Sequence, residues 1–154
     1  MAAHLTIIAG LPGAGKSTLI DRIATEYAGV VAHDFMDKAA SEEDFSSSIH
    51  FASLIRDLAA GKRCLIADVV FCNPVKRDKV KRVIDGMVPG VVLQEVFFSN
   101  DLDGCLANID RRAKIKPDPN RNIEFEKRVA RELSAIYVIP DGVSMIPVYR
   151  TKTP

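Results

Sequence analysis

The stretch whose residue types most clearly indicate a chemical function is GLPGAGKST, which runs from Gly10 to Thr18. It matches the pattern G-x-x-x-x-G-K-[ST] through Gly10, Gly15, Lys16 and Ser17. Glycines let a backbone curl inward without Cβ atoms in the way, so that several amides point at one anion. A helix that begins there adds unpaired N–H groups and its positive end. The stretch is therefore predicted to cradle the phosphates of a nucleotide.

Each residue type in this cradle has its own task. The amides from Gly13 to Thr18 are predicted to donate to phosphate oxygens. Lys16 would balance the charge of the β- and γ-phosphates, and the Ser17 hydroxyl would join the shell of a Mg²⁺ ion. The predicted phosphate-binding residues of the loop are Gly10, Gly13, Ala14, Gly15, Lys16, Ser17 and Thr18. A glycine-rich turn is the alternative, although a turn requires neither a lysine nor a hydroxyl at these offsets.

Short apolar runs alternate with amphipathic segments, and this alternation indicates the elements that position the loop. Residues 5–9 are typical of a buried parallel strand, and residues 16–27 follow as a helix. Further strands are predicted over 30–34, 62–71, 90–100 and 142–150, and further helices within 41–60 and over 74–87, 101–114 and 123–138. This order predicts one α/β domain over residues 1–154, a three-layer α/β/α sandwich with a mainly parallel five-stranded sheet.

The composition is that of a globular protein with little net charge. Hydrophobic residues make up 47% of the chain and the formal net charge is +1, so the overall balance selects neither nucleic acid nor an anionic membrane. Cys64, Cys72 and Cys105 lack metal-ligand spacing and fit a reduced compartment. No apolar stretch approaches the ~20 residues of a spanning helix, and the N-terminus lacks signal-peptide features. A cytoplasmic location with no membrane association is expected, and no stable protein partner is inferable.

In its phosphate loop and its order of elements, the chain resembles the P-loop NTPases. Among them it is similar to the small phosphotransferases around polynucleotide kinase, zeta-toxin-like kinases and chloramphenicol phosphotransferase. In such kinases the second strand ends in an aspartate that accepts the proton of an acceptor hydroxyl; Asp34 occupies that place, with Asp37 one helical turn further on. The resemblance also implies that Asp68, at or near the carboxyl end of the third strand, holds Mg²⁺ opposite Ser17. The alternatives are that Asp34 caps the following element and that Asp68 is a turn carboxylate.

The segment CLANIDRRAKIKPDPNR resembles the lid of these kinases, over about residues 111–122. The resemblance implies that Arg111 is catalytic and that Arg112 and Arg121 also bind the nucleotide, since guanidinium groups bridge phosphoryl oxygens. Arg77 resembles the arginine that faces the acceptor. A solvated surface is the alternative for the lid arginines and for the basic helix face that carries Arg77.

Together these features predict an ATP-dependent phosphotransferase that uses Mg²⁺ and moves the γ-phosphate to a hydroxyl of a small molecule or a nucleic-acid end. The chain has no N-K-x-D motif, and no D-x-x-G follows its third strand, which disfavours a GTPase. The third strand also lacks the glycine-phenylalanine-proline-arginine turn of nucleoside monophosphate kinases. A nucleotide-binding regulatory module, or a slow NTP hydrolase without a phosphorylated acceptor, is the alternative.

Overall fold

The computed structural model of the protein describes residues 3–34 and 49–148. Its strands are β1 (His4–Ala9), β2 (Val30–Asp34), β3 (Arg63–Asp68), β4 (Val92–Phe98) and β5 (Met145–Ile146). Its helices are α1 (Lys16–Glu26), α2 (Ile49–Ala59), α3 (Pro74–Met87), α4 (Leu102–Ile115) and α5 (Ile123–Ile136), and a short 3₁₀ helix spans Val69–Cys72. The strands form one sheet in the order β2-β3-β1-β4-β5, with parallel neighbours throughout and helices on both sides. The predicted α/β fold is confirmed.

Strand β1 lies in the centre of the core because it is apolar on both faces. Successive side chains of a strand point to opposite faces of the sheet, and Ile7 and Ile8 are both inaccessible to solvent. The neighbouring strands add the buried side chains of Ile66 and Phe97. Burial on both faces is typical of a central parallel strand. The phosphate loop therefore follows directly after a strand that is buried on both faces of the sheet.

The sheet also changes its direction of winding at β1. The chain passes to β2 and β3 on one side of β1 and to β4 and β5 on the other. In open α/β sheets, ligands bind at such a switch point, beyond the carboxyl ends of the strands. The register pairs Ala9 with Asp68 and Ala67 with Asp34, so β1, β2 and β3 end at the same edge. This edge carries both predicted aspartates and the phosphate loop.

Three strands are shorter than the sequence predicts, and β4 lacks the first two and the last two residues of its predicted range. The third strand, predicted within 62–71 with Asp68 at or near its end, ends at Asp68, whose Oδ1 accepts a hydrogen bond from the Val70 N–H and starts the 3₁₀ helix. The final strand is predicted over 142–150, whereas β5 has two residues and is followed by Pro147, which has no N–H for a ladder. The helix predicted within 41–60 is confirmed as α2; residues 35–48 lie outside the described residues.

Three helices begin at side-chain caps that the local sequence supplies. Asn73, Asp101 and Asn122 accept hydrogen bonds from backbone N–H groups in the first turns of α3, α4 and α5. Pro74 occupies the first position of α3, where its missing N–H costs nothing. Within the part of the chain that the structure describes, no helix is both long and apolar enough to cross a membrane.

Candidate functional site

The loop between β1 and α1 has the backbone that the sequence pattern predicts. Gly13 and Gly15 have φ angles of 83° and 108°, a region that side chains disfavour. The Ala14 N–H donates to the Leu11 carbonyl at 3.0 Å, which turns the loop back on itself. Gly15 is the N-cap of α1, and no side chain caps that end of the helix. The first-turn N–H groups of α1 are therefore oriented for an external anion.

Neighbouring elements hold the loop in place. A Cβ at Gly13 would lie 2.5 Å from the backbone oxygen of Cys105, so α4 packs directly on the loop. Asn108 Nδ2 donates to the Gly13 carbonyl at 3.0 Å. A Cβ at Gly10 would lie 3.1 Å from Phe98 Cδ2, at the end of β4. Gly10 and Gly13 are thus needed for the close approach of α4 and β4 to the loop.

Lys16 crosses the loop from the start of α1. Its Nζ donates to the carbonyl oxygens of Gly10 and Leu11, at 2.8 Å in each case. Burial of the ammonium group lowers the pKa of Lys16, while the negative charge of Asp68 acts in the opposite direction. Phosphate oxygens at the loop would offer this ammonium stronger acceptors than two carbonyls. This geometry would let the Lys16 ammonium group exchange its carbonyl acceptors for the oxygens of a bound anion.

A cavity of about 910 Å³ opens beside the loop. One face of α4 and its C-cap residue line it at helical spacing, through Asn108, Arg111, Arg112, Ile115 and Lys116. Helix α5 contributes Phe125, Glu126 and Val129. Of the described residues around the cavity, five are cationic and Glu126 is acidic; the cations are Lys16, Arg22, Arg111, Arg112 and Lys116. Ser17 and Thr18 also line the cavity and are exposed. The charged groups of the cavity wall are therefore mostly cationic.

The two predicted aspartates lie at the same sheet edge. Asp68 Oδ1 caps the Val70 N–H at 2.8 Å, so this carboxylate has a structural task; its place as a Mg²⁺ ligand stays a prediction. Asp34 ends β2 opposite Ala67, and its side chain lies outside what the structure describes, as does Asp37 entirely. Among residues 3–34 and 49–148, no group of three or more His, Cys, Asp or Glu could hold a metal ion. A Mg²⁺ bound with a nucleotide takes most of its ligands from phosphates and water.

The three arginines predicted to bind the nucleotide, Arg111, Arg112 and Arg121, do not all line the cavity. Arg111 and Arg112 line the cavity. Arg121 is instead held by Glu126, through Nε to Oε1 at 2.5 Å and Nη2 to Oε2 at 2.9 Å. The predicted lid consists of the last turn of α4 and the connection to α5.

The expectation that Arg77 faces an acceptor is wrong. Its side chain is buried: Nη1 donates to the Phe71 carbonyl at 2.6 Å, and Nε lies 3.2 Å from Glu95 Oε2. The guanidinium also lies over the Phe97 ring, 4.8 Å from its centroid. Arg77 therefore joins α3 to β4 inside the fold, because its long stem reaches a carboxylate on the sheet.

Sequence reasoning missed two residues that support the loop. The Tyr137 hydroxyl donates to the carbonyl oxygens of Ala9 and Phe98, where β1 and β4 end. No sequence signal points to it, because its partners are far away in the chain. Asn108 could have been found, since it precedes Arg111 and Arg112 by three and four residues on the same helix face.

Comparison by sequence finds no matching protein-family model and no matching curated protein. Comparison of structures finds a chain of the Pnkp1/Rnl/Hen1 RNA repair complex, with a TM-score of 0.60 and 19% identity over 93% of this chain. This chain spans about half of that neighbour, 50% of its length. An uncharacterized protein from Eubacterium ventriosum is also similar, with a TM-score of 0.50 and 12% identity, over 96% of this chain and 89% of its own. These neighbours share the α/β fold of this chain.

Proposed function

We propose that this protein is an ATP- and Mg²⁺-dependent phosphotransferase whose acceptor is a hydroxyl of a small molecule or of a nucleic-acid end. The observation that carries the proposal is the loop of Gly10 to Thr18, with positive φ at Gly13 and Gly15 and an α1 N-terminus that no side chain caps. A plain turn does not need Lys16 to cross it. The α/β fold around the loop, which is similar to that of a chain of the Pnkp1/Rnl/Hen1 RNA repair complex, supports the same activity.

The residues of the loop would bind the phosphates of the donor. Backbone amides donate to the β-phosphate, and Lys16 exchanges its two carbonyl acceptors for phosphate oxygens. Arg111 and Arg112, on the cavity wall, neutralise charge that develops on the transferred group. Ser17 and Asp68 would hold Mg²⁺, which supplies further positive charge at the phosphates. The apolar side chains of Ile115, Phe125 and Val129 in the cavity wall would exclude water from the donor.

Asp34 would act as the general base. It is the last residue of the edge strand β2, at the same edge of the sheet as the phosphate loop. There it would accept the proton of the acceptor hydroxyl as transfer proceeds. Positioning and charge neutralisation account for most of the rate enhancement in phosphoryl transfer. A general base raises the rate further, by roughly 10²–10⁴-fold. Binding of the donor does not require it.

Titration of ATP with Mg²⁺ by calorimetry tests the donor site. Lys16→Ala should weaken binding by roughly 10-fold or more, because one charge-assisted contact is worth about 1.5–3 kcal/mol. Lys114→Ala is the matched control, since Lys114 is an exposed lysine of α4 outside the cavity lining. Equal affinity in wild type and Lys16→Ala would remove the loop from the donor site.

Transfer of labelled γ-phosphate across a panel of hydroxyl compounds tests the activity itself. Asp34→Asn should keep ATP binding and lose transfer. Release of phosphate without an acceptor, at the full rate, would indicate a hydrolase, and binding without turnover would indicate a regulatory module. Unchanged transfer by Asp34→Asn would assign the base role to another group.

A further inference from the structure

Glu126 is an acid in a cavity that otherwise collects positive charge. It lines the cavity together with the cations of α4, and its side chain is 24% exposed. A carboxylate here repels the phosphates that the proposed function places beside the loop. The neighbouring cations stabilise its negative charge, but an anion bound in the cavity would compete for the same cations. Glu126 therefore opposes the binding that its surroundings favour.

The carboxylate has a partner that also suits a phosphate. Arg121 holds it in a two-pronged pair, through Nε at 2.5 Å and Nη2 at 2.9 Å. The same planar fork binds phosphate oxygens in the same geometry. The Arg121 N–H donates to the Asp118 carbonyl at 3.0 Å, which fixes the backbone of Arg121 at the entrance to α5. The pair is thus a preformed anion site filled by a side chain.

Two further features place this pair in the electrostatic field of the cavity. Glu126 lies in the first turn of α5, where the helix end favours a negative charge. Desolvation by burial lowers the pKa of Arg112, the nearby charge of Arg121 lowers it further, and Glu126 opposes both. Arg112, Arg121 and Glu126 therefore interact electrostatically, and Glu126 and Arg112 share the wall of the cavity.

We propose that Glu126 sets the affinity of the site, by occupying the Arg121 fork until nucleotide phosphates displace it. This inference rests on the proposed function, because it requires a polyphosphate at the loop. On displacement, Arg121 changes its partner from a carboxylate with one charge to phosphates with several. When no nucleotide is bound, the resident carboxylate neutralises the charge of Arg121, and it lowers nucleotide affinity in return.

Substitution of the acid separates this role from a structural one. Glu126→Gln keeps the shape of the side chain and removes its charge, and it should tighten binding of ATP with Mg²⁺ by about 3- to 10-fold at low salt. A residue with only a structural role would weaken binding when changed. Glu124→Gln is the matched control, because Glu124 is an exposed acid in the same helical turn outside the cavity lining. Its affinity should stay within about twofold of wild type.

A double variant tests whether Arg121 receives the phosphates. Arg121→Gln in the Glu126→Gln background should abolish the gain, and the gain of the single variant should shrink as salt screens the charges. Calorimetry on the full chain measures each affinity, and thermal unfolding confirms that each variant is folded. An unchanged or weaker affinity of Glu126→Gln, or a gain that persists without Arg121, overturns the inference. A wild-type protein that binds no ATP would overturn the proposed function as well, so the two failures are distinguishable.

Discussion

Replacing Gly13 with alanine tests how tightly α4 holds the phosphate loop. The new Cβ would lie 2.5 Å from the Cys105 carbonyl oxygen and 3.0 Å from Ile109 Cγ1, on a residue whose φ is 83°. The first contact is with helix backbone, so the loop or α4 has to move. Left-handed strain costs about 1–2 kcal/mol and overpacking about 1–3 kcal/mol. We expect Gly13→Ala to lower the free energy of unfolding by about 2–5 kcal/mol.

Two other glycines separate the contributions to this loss. Gly29 has a similar φ of 85° but nothing within 4 Å of an added Cβ, so Gly29→Ala should cost only the strain of about 1–2 kcal/mol. Gly86 lies inside α3, also with nothing within 4 Å. Gly86→Ala should stabilise the protein by about 0.5–1 kcal/mol, because alanine loses less entropy in a helix. The difference between Gly13→Ala and Gly29→Ala therefore measures the contact with α4.

Urea unfolding followed by circular dichroism provides the measurement. With a slope of about 1–3 kcal/mol per molar urea, the contact should lower the midpoint by roughly 1 M beyond that of Gly29→Ala. ATP affinity should fall in Gly13→Ala and stay unchanged in Gly29→Ala. Equal midpoints for these two variants would refute the reasoning, because α4 would then yield to the methyl group without cost.

Three further predictions concern the surroundings of the site. Tyr137→Phe removes both hydrogen bonds to the ends of β1 and β4, and it should lower the free energy of unfolding by about 1–3 kcal/mol; an unchanged urea midpoint would contradict this. Burial raises the pKa of Asp57, but hydrogen bonds from Lys62 and His33 outweigh it and hold that pKa below its ordinary value. The ionised carboxylate therefore stabilises the fold above its unfolded pKa, and this contribution is lost as pH falls through the folded pKa. Asp57→Asn should accordingly lose less stability than wild type between neutral pH and about pH 3, and parallel curves would argue against it. Finally, the buried thiols of Cys64, Cys72 and Cys105 should resist an aromatic disulfide reagent near neutral pH until the chain unfolds. Burial raises the pKa of Cys64 to about 11 and that of Cys72 to about 12, so both thiols stay protonated and unreactive. Rapid labelling of the folded protein would contradict their burial.

The sequence predicts the order of the elements because most of them are bounded by local signals. The apolar run before Gly10 and the helix after Gly15 require no distant partner, and Pro74 marks the start of α3. The ends of the strands depend more on tertiary structure. The apolar run after β3 reads as a longer strand, but the carboxylate of Asp68 turns it into a 3₁₀ helix.

Side-chain partners from distant segments explain what the sequence could not predict at the site. Arg77 lies on a helix face that reads as solvated or catalytic, whereas its carboxylate partner Glu95 belongs to a strand eighteen positions further along the chain. The pairing of Arg121 with Glu126, by contrast, spans only five positions, but it needs the turn before α5, which no periodicity describes. Residue types at the loop were predictable, because a phosphate requires them in a fixed local order.

The carboxyl end of helix α5 is joined by hydrogen bonds to the ends of β1 and β4. Tyr137 bonds to the carbonyl oxygens of Ala9 and Phe98, and Asn100 exchanges hydrogen bonds with Ser134. The amino-terminal half of the helix packs on α4, where Lys127 Nζ lies 2.5 Å from Asp110 Oδ1, and it carries Glu126 on the cavity wall. At ~1.5 Å per residue the helix is about 21 Å long. The position of the cavity wall that α5 forms therefore depends on both of its attachments, the strand ends at one end and α4 at the other.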